Sequence, residues 1–449
     1  MHVFGSSGVR GVVNEELTPG DVVRIAQAAG TVWEGGQAAL ARDTRATGRM
    51  LTDAAAAGLA GVGVGVDRLG VVPTPALQAF CEREGVPGLM VTASHNPPEY
   101  NGVKLIAADG VEMTRAGLDE VEETLAGDRF ASATWDETGE TRQVEEAAAD
   151  YVAGLLGAVD RAAIAEADLT VVVDPGHGAG CVTSPDFFRE LGCTVHTVNA
   201  QPDSAFPGRH PEPVAEHLGA LCEHVRATDA DLGVAHDGDA DRATFVDETG
   251  SPVNGDAALA ALVDAAVGPG DVVVSAANAS RRLIDVTEAS DADLTLTPIG
   301  STNIVSRVRE LRAEGESVPV AGEGNGGVIF PGYRTARDGA YTAAKFLERV
   351  VDRSASDLIA EYDDYHNVRR SVAYGDEGRR EAMVDAIERV ARDAVAELDT
   401  TDGYRLDYGD GWVLARPSGT EPLIRIYAEA RTEDRAEELI DMMADALDG

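Results

Sequence analysis

The sequence predicts an α/β protein of several domains that ends in a smaller α+β unit. Three observations carry that prediction. At 449 residues the chain exceeds one ordinary core, and division by typical domain size gives roughly three or four domains. Between Ala38 and Ala321, short apolar runs alternate with segments of helical periodicity, the pattern of βα units and a mostly parallel sheet. From about His366 the pattern changes to strand, long helix, further strands and a closing helix.

In chain order the first domain reads as helix 21–32, strand 38–41, helix 50–59, strand 62–66, helix 75–83 and strands 88–91 and 103–107. An acidic, polar connection over 128–142 then sets the first boundary, giving domain 1–148. Strand 169–173 ends in Asp174-Pro-Gly-His-Gly-Ala-Gly180, whose glycines are spaced G-x-G-x-G and make no dinucleotide fingerprint. Strand 194–198, helix 214–225 and strand 232–235 complete domain 149–250. Helix 257–267, strands 272–276 and 294–297, helix 304–312 and strand 318–321 fill domain 251–365. The last domain, 366–449, has helix 377–398 and strands 404–406, 412–415 and 423–428.

Composition narrows the function classes. The net charge of −41 comes from 78 acidic against 37 basic residues, spread along the chain. Such a surface repels nucleic acid and anionic membrane, because binding either needs a basic patch. Adaptation to high salt explains it economically, since screening shortens the Debye length to roughly 3 Å at 1 M. No window approaches the roughly 18 to 20 apolar residues of a membrane span. The first eleven residues have neither a basic nor an apolar signal region, so a cytoplasmic location is expected. Cys81, Cys181, Cys193 and Cys222 lack C-x-x-C spacing, which argues for reduced thiols and against zinc.

Chemistry concentrates in four loops. Residues 92–104, Thr-Ala-Ser-His-Asn-Pro-Pro-Glu-Tyr-Asn-Gly-Val-Lys, lie between two apolar runs. Pro97 and Pro98 stiffen the turn, which could serve backbone geometry alone. The hydroxyl of Ser94 with the imidazole of His95 and the cation of Lys104 makes it a nucleophile site instead. Arg42, Arg45 and Ser94 fall beyond the carboxyl ends of strands, where α/β sheets bind ligands, and Arg10 lies in a glycine-spaced loop suited to an anion. His236-Asp-Gly-Asp-Ala-Asp-Arg242 packs Asp237, Asp239 and Asp241 at alternate positions, an oxygen donor set for Mg²⁺ or Ca²⁺. An EF-hand reading fails because Arg242 stands at the sixth position, where that loop needs glycine. Gly322-Glu-Gly-Asn-Gly-Gly327 offers Glu323 and Asn325 to vicinal hydroxyls. Arg416, Ser418, Gly419, Thr420 and Arg425 make a phosphate cradle.

Together the four loops resemble the α-D-phosphohexomutase family, which includes phosphoglucomutase, phosphomannomutase and phosphoglucosamine mutase, and the resemblance covers the whole chain. It implies three related α/β domains with mixed sheets plus a smaller C-terminal α+β domain around one cleft. It also implies a phosphoserine at Ser94, Mg²⁺ held by Asp237, Asp239, Asp241 and a Ser94 phosphate oxygen, and a hexose bisphosphate intermediate. Lys104, Arg10, His95 and Arg242 would then serve proton transfer and charge stabilisation. Two departures stand out: Asn325 replaces a serine common in the family, and Pro298-Ile-Gly-Ser-Thr302 lacks the histidine that some phosphomannomutases carry there. The segment 206–213 and the Gly-Asn-Gly-Gly loop look most like archaeal members grouped with phosphoglucosamine mutases. The expected partner is a hexose phosphate, with the protein a monomer or homodimer. A metal-dependent sugar phosphatase and a calcium- or sugar-binding protein are the rival readings; the first needs no second anion cradle and the second needs neither Ser94 nor Lys104.

The charge excess generates a prediction of its own. Raising KCl into the molar range screens the self-repulsion of the folded chain and should raise its melting temperature; a melting temperature flat from dilute buffer upward contradicts the salt adaptation.

Overall fold

In a computed structural model, which describes residues 4–5, 8–418 and 422–448, the chain divides into two units, Met1–Gly255 with Asn325–Leu358 and Asp256–Gly324 with Ile359–Gly449. No helix among the described residues is long and apolar enough to cross a membrane. All four cysteines are free.

The first unit opens on β1 (Val9–Val12), α1 (Pro19–Val32), β2 (Gln37–Arg42), α2 (Gly48–Gly61), β3 (Gly65–Val71), α3 (Thr74–Glu84), β4 (Gly88–Val91), β5 (Tyr100–Ile106), α4 (Arg115–Ala126) and β6 (Thr141–Gln143). The strands form one mixed sheet in the order β1-β5-β4-β2-β3-β6. β2, β3, β4 and β6 run parallel, and β5 lies antiparallel to both β4 and β1. α1 starts at Pro19, two residues before the expected start, because Thr18 and Asp21 close a capping box and proline is tolerated in the first turn. Val22, Ile25, Ala26 and Ala29 of α1 pack with Leu51, Ala55 and Leu59 of α2 in the core of this sheet.

For this sheet three expectations need correction. The strand predicted over 62–66 begins at Gly65, since Val62 caps α2 and Gly63 (φ 88) turns the chain out of it. Arg10 is expected in a loop; Val9–Val12 is instead an edge strand, with Arg10 opposite Gly102. The short strand β6 falls in the segment expected to be a polar connection.

The second sheet of this unit contains β7 (Thr170–Asp174), β8 (Thr194–Thr197), β9 (Leu232–Ala235) and β10 (Thr244–Asp247) in the order β10-β9-β7-β8, with only β10 antiparallel. The helix expected over 214–225 divides into a 3₁₀ turn, Ala215–His217, and an α-helix, Gly219–Thr228, which ends on Asp229 in a left-handed conformation.

Beyond residue 255, β11 (Val272–Ala276), β12 (Asp293–Thr297) and β13 (Ala321–Glu323) belong to the second unit and pair in parallel, β12-β11-β13. β14 (Gly327–Phe330) and β15 (Arg334–Arg337) form an antiparallel pair in the first unit. The second unit continues with β16 (His366–Ala373), β17 (Glu397–Asp399), β18 (Tyr404–Asp407), β19 (Gly411–Pro417) and β20 (Leu423–Ala430), an antiparallel sheet ordered β16-β20-β19-β18-β17. The helices Glu377–Asp393 and Glu433–Asp448 cover it through Met383, Ile387, Leu439, Ile440 and Met443. The first of them stops five residues short of the expected 398, because Ala394 turns extended and Glu397–Asp399 pairs with β18.

One buried ion pair fastens the pieces of the second unit. Glu429 on β20 accepts hydrogen bonds from Arg282 Nη1 (3.0 Å), the Arg281 backbone N–H (2.6 Å), Asn367 Nδ2 (2.8 Å) and Trp412 Nε1 (3.2 Å). Breaking such a pair by removing one partner leaves an uncompensated buried charge. Glu429→Ala is therefore expected to cost about 3–5 kcal/mol, read as a lower denaturant midpoint at unchanged slope; a midpoint within experimental error of the parent refutes the assignment.

Candidate active site around Ser94

β4 and β5 run antiparallel with Met90 opposite Lys104 and Val91 opposite Val103, so the turn between them brings Ser94 and Lys104 to one end of the sheet. Ser94 is fully buried and left-handed, with φ 51, a conformation that costs about 1–2 kcal/mol in a residue with a side chain. Its surroundings hold it there. The Ser94 N–H donates to Thr92 Oγ1 (2.9 Å), and the Asn96 N–H closes a turn on Ala93 O (3.0 Å). Arg45, buried at the end of β2, donates from Nε to Asp43, from Nη1 to the carbonyls of Pro97 and Tyr100, and from Nη2 to the carbonyls of Ser94 and Asn96. All five guanidinium N–H groups thus have acceptors. Asp43 also takes the Thr92 hydroxyl at 2.7 Å, linking Arg45 back to the residue that holds Ser94.

The loop between β9 and β10 carries the aspartates. Ser94 Oγ donates to Asp237 Oδ2 at 2.6 Å and lies 3.3 Å from His95 Nδ1. This approach needs glycine at 238, where a Cβ would stand 2.5 Å from the Ser94 carbonyl oxygen. The G-x-G-x-G stretch after β7 also finds its use here: the Ala179 N–H donates to Gly238 O at 2.8 Å. Asp239 Oδ2 accepts from Thr74 Oγ1 (2.6 Å) and Lys104 Nζ (2.9 Å), and Asp241 Oδ2 accepts from Lys104 Nζ (3.0 Å) and Arg337 Nη2 (2.6 Å).

One carboxylate oxygen from each of the three aspartates lies within 4.8 Å of the others, all three residues being buried. Among the described residues, Asp239 Oδ1 and Asp241 Oδ1 have no hydrogen-bond partner. Buried carboxylate oxygens rarely stay unpaired, and these converge as the hard oxygen set that a divalent cation such as Mg²⁺ accepts. Burial first, then Asp239 and Asp241, pushes the Asp237 carboxyl up to about 7. Burial acts the same way on Asp239, but Lys104 and the Thr74 hydroxyl outweigh it and hold that carboxyl below its ordinary value.

Cations surround this cluster. Arg242 lies 3.9 Å from both Asp237 and Asp241, and Arg10 donates to Asn96 Oδ1 at 3.0 Å from its place on β1. Burial opposes the Lys104 charge, yet Asp239 and Asp241 hold its ammonium above the ordinary value. Burial, then Arg242 and Arg10, pushes the His95 imidazole far down, so it stays neutral. The structure therefore gathers Ser94, His95, Lys104, Arg10, Arg242 and the three aspartates. Sequence reasoning missed Arg337 and Thr74, which come from β15 and the start of α3. The one signal for Arg337 is an arginine pair, Arg334 and Arg337, ahead of Asp-Gly in a chain poor in basic residues. Arg45 was noted at a strand end, but not as the support of the turn.

The remaining expected residues are held as follows. In the second unit Glu323 is buried on β13. Arg416 and Arg425 stand directly opposite each other on β19 and β20, a pairing of like charges that favours an anion between them. Arg416 Nε is 3.0 Å from Asp402, and the Ser418 N–H donates to Leu423 O at 2.8 Å. Gly419 and Thr420 lie outside the described residues. In the first unit Asn325 is exposed and folds its side-chain oxygen back onto the Gly327 N–H at 3.0 Å, a turn contact.

Models of the four domains of phosphoglucomutase/phosphomannomutase match this chain in order: domain I over residues 1–132, domain II over 149–250, domain III over 254–365 and the C-terminal domain over 370–446. The chain belongs to this family. It is accordingly a phosphohexomutase, an isomerase. It is 41% identical over 452 residues to the phosphoglucomutase/phosphomannomutase of Thermococcus kodakarensis, covering 98% of this chain and 97% of the relative. It is also 41% identical over 450 residues to a probable phosphoglucosamine mutase of Methanopyrus kandleri, covering 99% and 97%. Among solved structures, a family protein from Burkholderia thailandensis superposes with a TM-score of 0.84 at 28% identity, over 99% of this chain and 97% of that one.

The raised Asp237 carboxyl gives the site a pH signature. A cation favours the ionised carboxylate and expels its proton, so Mg²⁺ affinity should rise with pH up to about 7 and then level off. Titration calorimetry in buffers of different ionisation enthalpy should count proton release on the acid side of that point. Affinity independent of pH would show that Asp237 is already ionised without the cation, and affinity unchanged in Asp239→Asn that the aspartate loop holds no cation.

Proposed function

We propose that the chain is a phosphoglucosamine mutase, interconverting hexose 1-phosphate and 6-phosphate through a phosphorylated Ser94 and a hexose bisphosphate intermediate. The observation that carries this reading is the buried Ser94 hydroxyl, 2.6 Å from Asp237 in a strained turn ringed by Arg10, Lys104, Arg242 and Arg337. In the reaction a free hydroxyl of the hexose monophosphate attacks the phosphorus on Ser94, the bond from phosphorus to Oγ breaks, and the hydroxyl proton is lost. The bisphosphate turns over, and its other phosphoryl group returns to Ser94 Oγ, which restores the enzyme and releases the isomer.

Each side chain has a task in that cycle. Mg²⁺ held by Asp237, Asp239 and Asp241 would neutralise charge on the phosphoryl oxygens. Lys104, kept charged by Asp239 and Asp241, has no free lone pair and acts as a fixed positive charge. His95 stays neutral beside Ser94 Oγ, so it adds no charge there and can hydrogen-bond to the reacting oxygen. Arg10, Arg242 and Arg337 balance the phosphoryl charge. Arg416, Ser418, Gly419, Thr420 and Arg425 would hold the phosphate that is not reacting.

Substrate choice rests on Glu323, a carboxylate that favours an ammonium at C2, and on the name of the Methanopyrus relative. The second reading, a phosphomannomutase/phosphoglucomutase with glucose and mannose phosphates as substrates, is favoured by the name of the Thermococcus relative. A sugar phosphatase is disfavoured by the paired arginines of β19 and β20. The proposed setting is the cytoplasm, as a monomer or homodimer.

Ser94→Ala should lower turnover by at least about 10⁴-fold while leaving the melting temperature close to the parent, and full turnover by that variant would sink the mechanism. Measuring kcat/KM for glucosamine, glucose and mannose phosphates on one preparation decides the substrate. A glucosamine value far below both others would reject the subgroup and leave the phosphohexomutase intact.

A further inference from the structure

Away from Ser94, the first sheet carries a second cationic concavity. A cavity of ≈ 300 Å³ opens between β2, β3, β6 and the first turns of α2, walled by Arg42, Arg49, Thr52, Asp53, Arg68 and Gln143. Neither the Ser94 turn nor the aspartate loop lines it. Three guanidinium groups face one carboxylate, in a chain whose net charge is −41. Asp53 is already paired with Arg68 Nη1.

Two features of the backbone and side chains leave this wall short of negative charge. The register of β3 on β2 shifts so that Arg68 pairs with Leu40 and Gly70 with Ala41, leaving Leu69 over as a bulge. Bulges re-aim the side chains beside them, and here both Arg68 and Gly70 face the cavity. Among the described residues Arg68 Nε has no hydrogen-bond acceptor, so the guanidinium spends only Nη1 on a carboxylate, that of Asp53. Burial disfavours the Arg42 charge, Asp43 offsets part of that, and Arg49 adds repulsion. An anion between the arginines relieves the repulsion.

We propose that this cavity is a second anion site of the protein, binding a phosphate group either as the free ion or as the monoester of a small polyol. Forked guanidinium donors match phosphate oxygens in pairs, and a dianion matches the two-charge excess of the wall. The volume stands at the small end of ligand pockets, and the Gln143 amide at its edge can pair a hydroxyl.

Equilibrium dialysis of the full chain against labelled inorganic phosphate and, separately, a labelled hexose 6-phosphate tests the proposal at fixed ionic strength. The parent should bind one equivalent more than Arg49→Glu and Arg68→Gln, or bind that equivalent at least about tenfold more tightly, with hexose phosphate turnover and melting temperature unchanged. Loss with both probes identifies the phosphate group as the recognised element; loss with the hexose phosphate alone identifies the monoester, and loss with phosphate alone the free ion. Arg49 is exposed, so its variant tests the site even if Arg68→Gln folds poorly. Identical isotherms for parent and Arg49→Glu with both probes overturn the proposal.

Discussion

The Arg45 guanidinium is the constraint on which the Ser94 site depends. Four of its five donors end on carbonyls of the Ser94 to Tyr100 turn, and the fifth on Asp43, which in turn anchors Thr92. A left-handed serine persists only where its surroundings over-determine it. Here one side chain from the end of β2 supplies much of that determination, and the ring of Phe206, 5.2 Å from the guanidinium, covers it. Because the carbonyls point to Arg45, the Ser94 hydroxyl is free to face Asp237.

Charge balance is the second constraint. Three buried aspartates repel one another, and the protein answers with Lys104 bridging two of them and with Arg337 and Arg242 alongside. Among the described residues two carboxylate oxygens nevertheless remain unpaired. The cluster thus combines oxygen donors for a divalent cation with fixed positive charges that suit an anionic group. A neutral His95 beside Ser94 Oγ adds to neither charge. Such preorganised charge suits phosphoryl transfer, where stabilisation of the moving group supplies most of the catalysis.

The parts of this site that lie close together in sequence were legible from it. The Ser94 turn and the aspartate loop each place their functional groups within a few residues, with proline and glycine marking the backbone. Thr74, Arg337 and the supporting role of Arg45 were not legible, because each acts on a residue far away in the chain through a strand order that local patterns do not encode. β1 shows the same limit: Val9–Val12 is too short to read as a strand alone, and only pairing with β5 makes it one. The helix start capped by Thr18 was legible to about two residues, whereas the helix end at Ala394 was not, because there the chain yields to a strand.

The central claim is that the Ser94 oxygen carries the phosphoryl group between sugar positions. Peptide mapping by mass spectrometry, after incubation with a hexose 1,6-bisphosphate and Mg²⁺, tests it most directly. The account predicts one phosphoryl group on the peptide that contains Ser94, lost again when excess hexose monophosphate is added. A protein that turns over substrate while this peptide stays unmodified, or that carries the label on another residue, would contradict it.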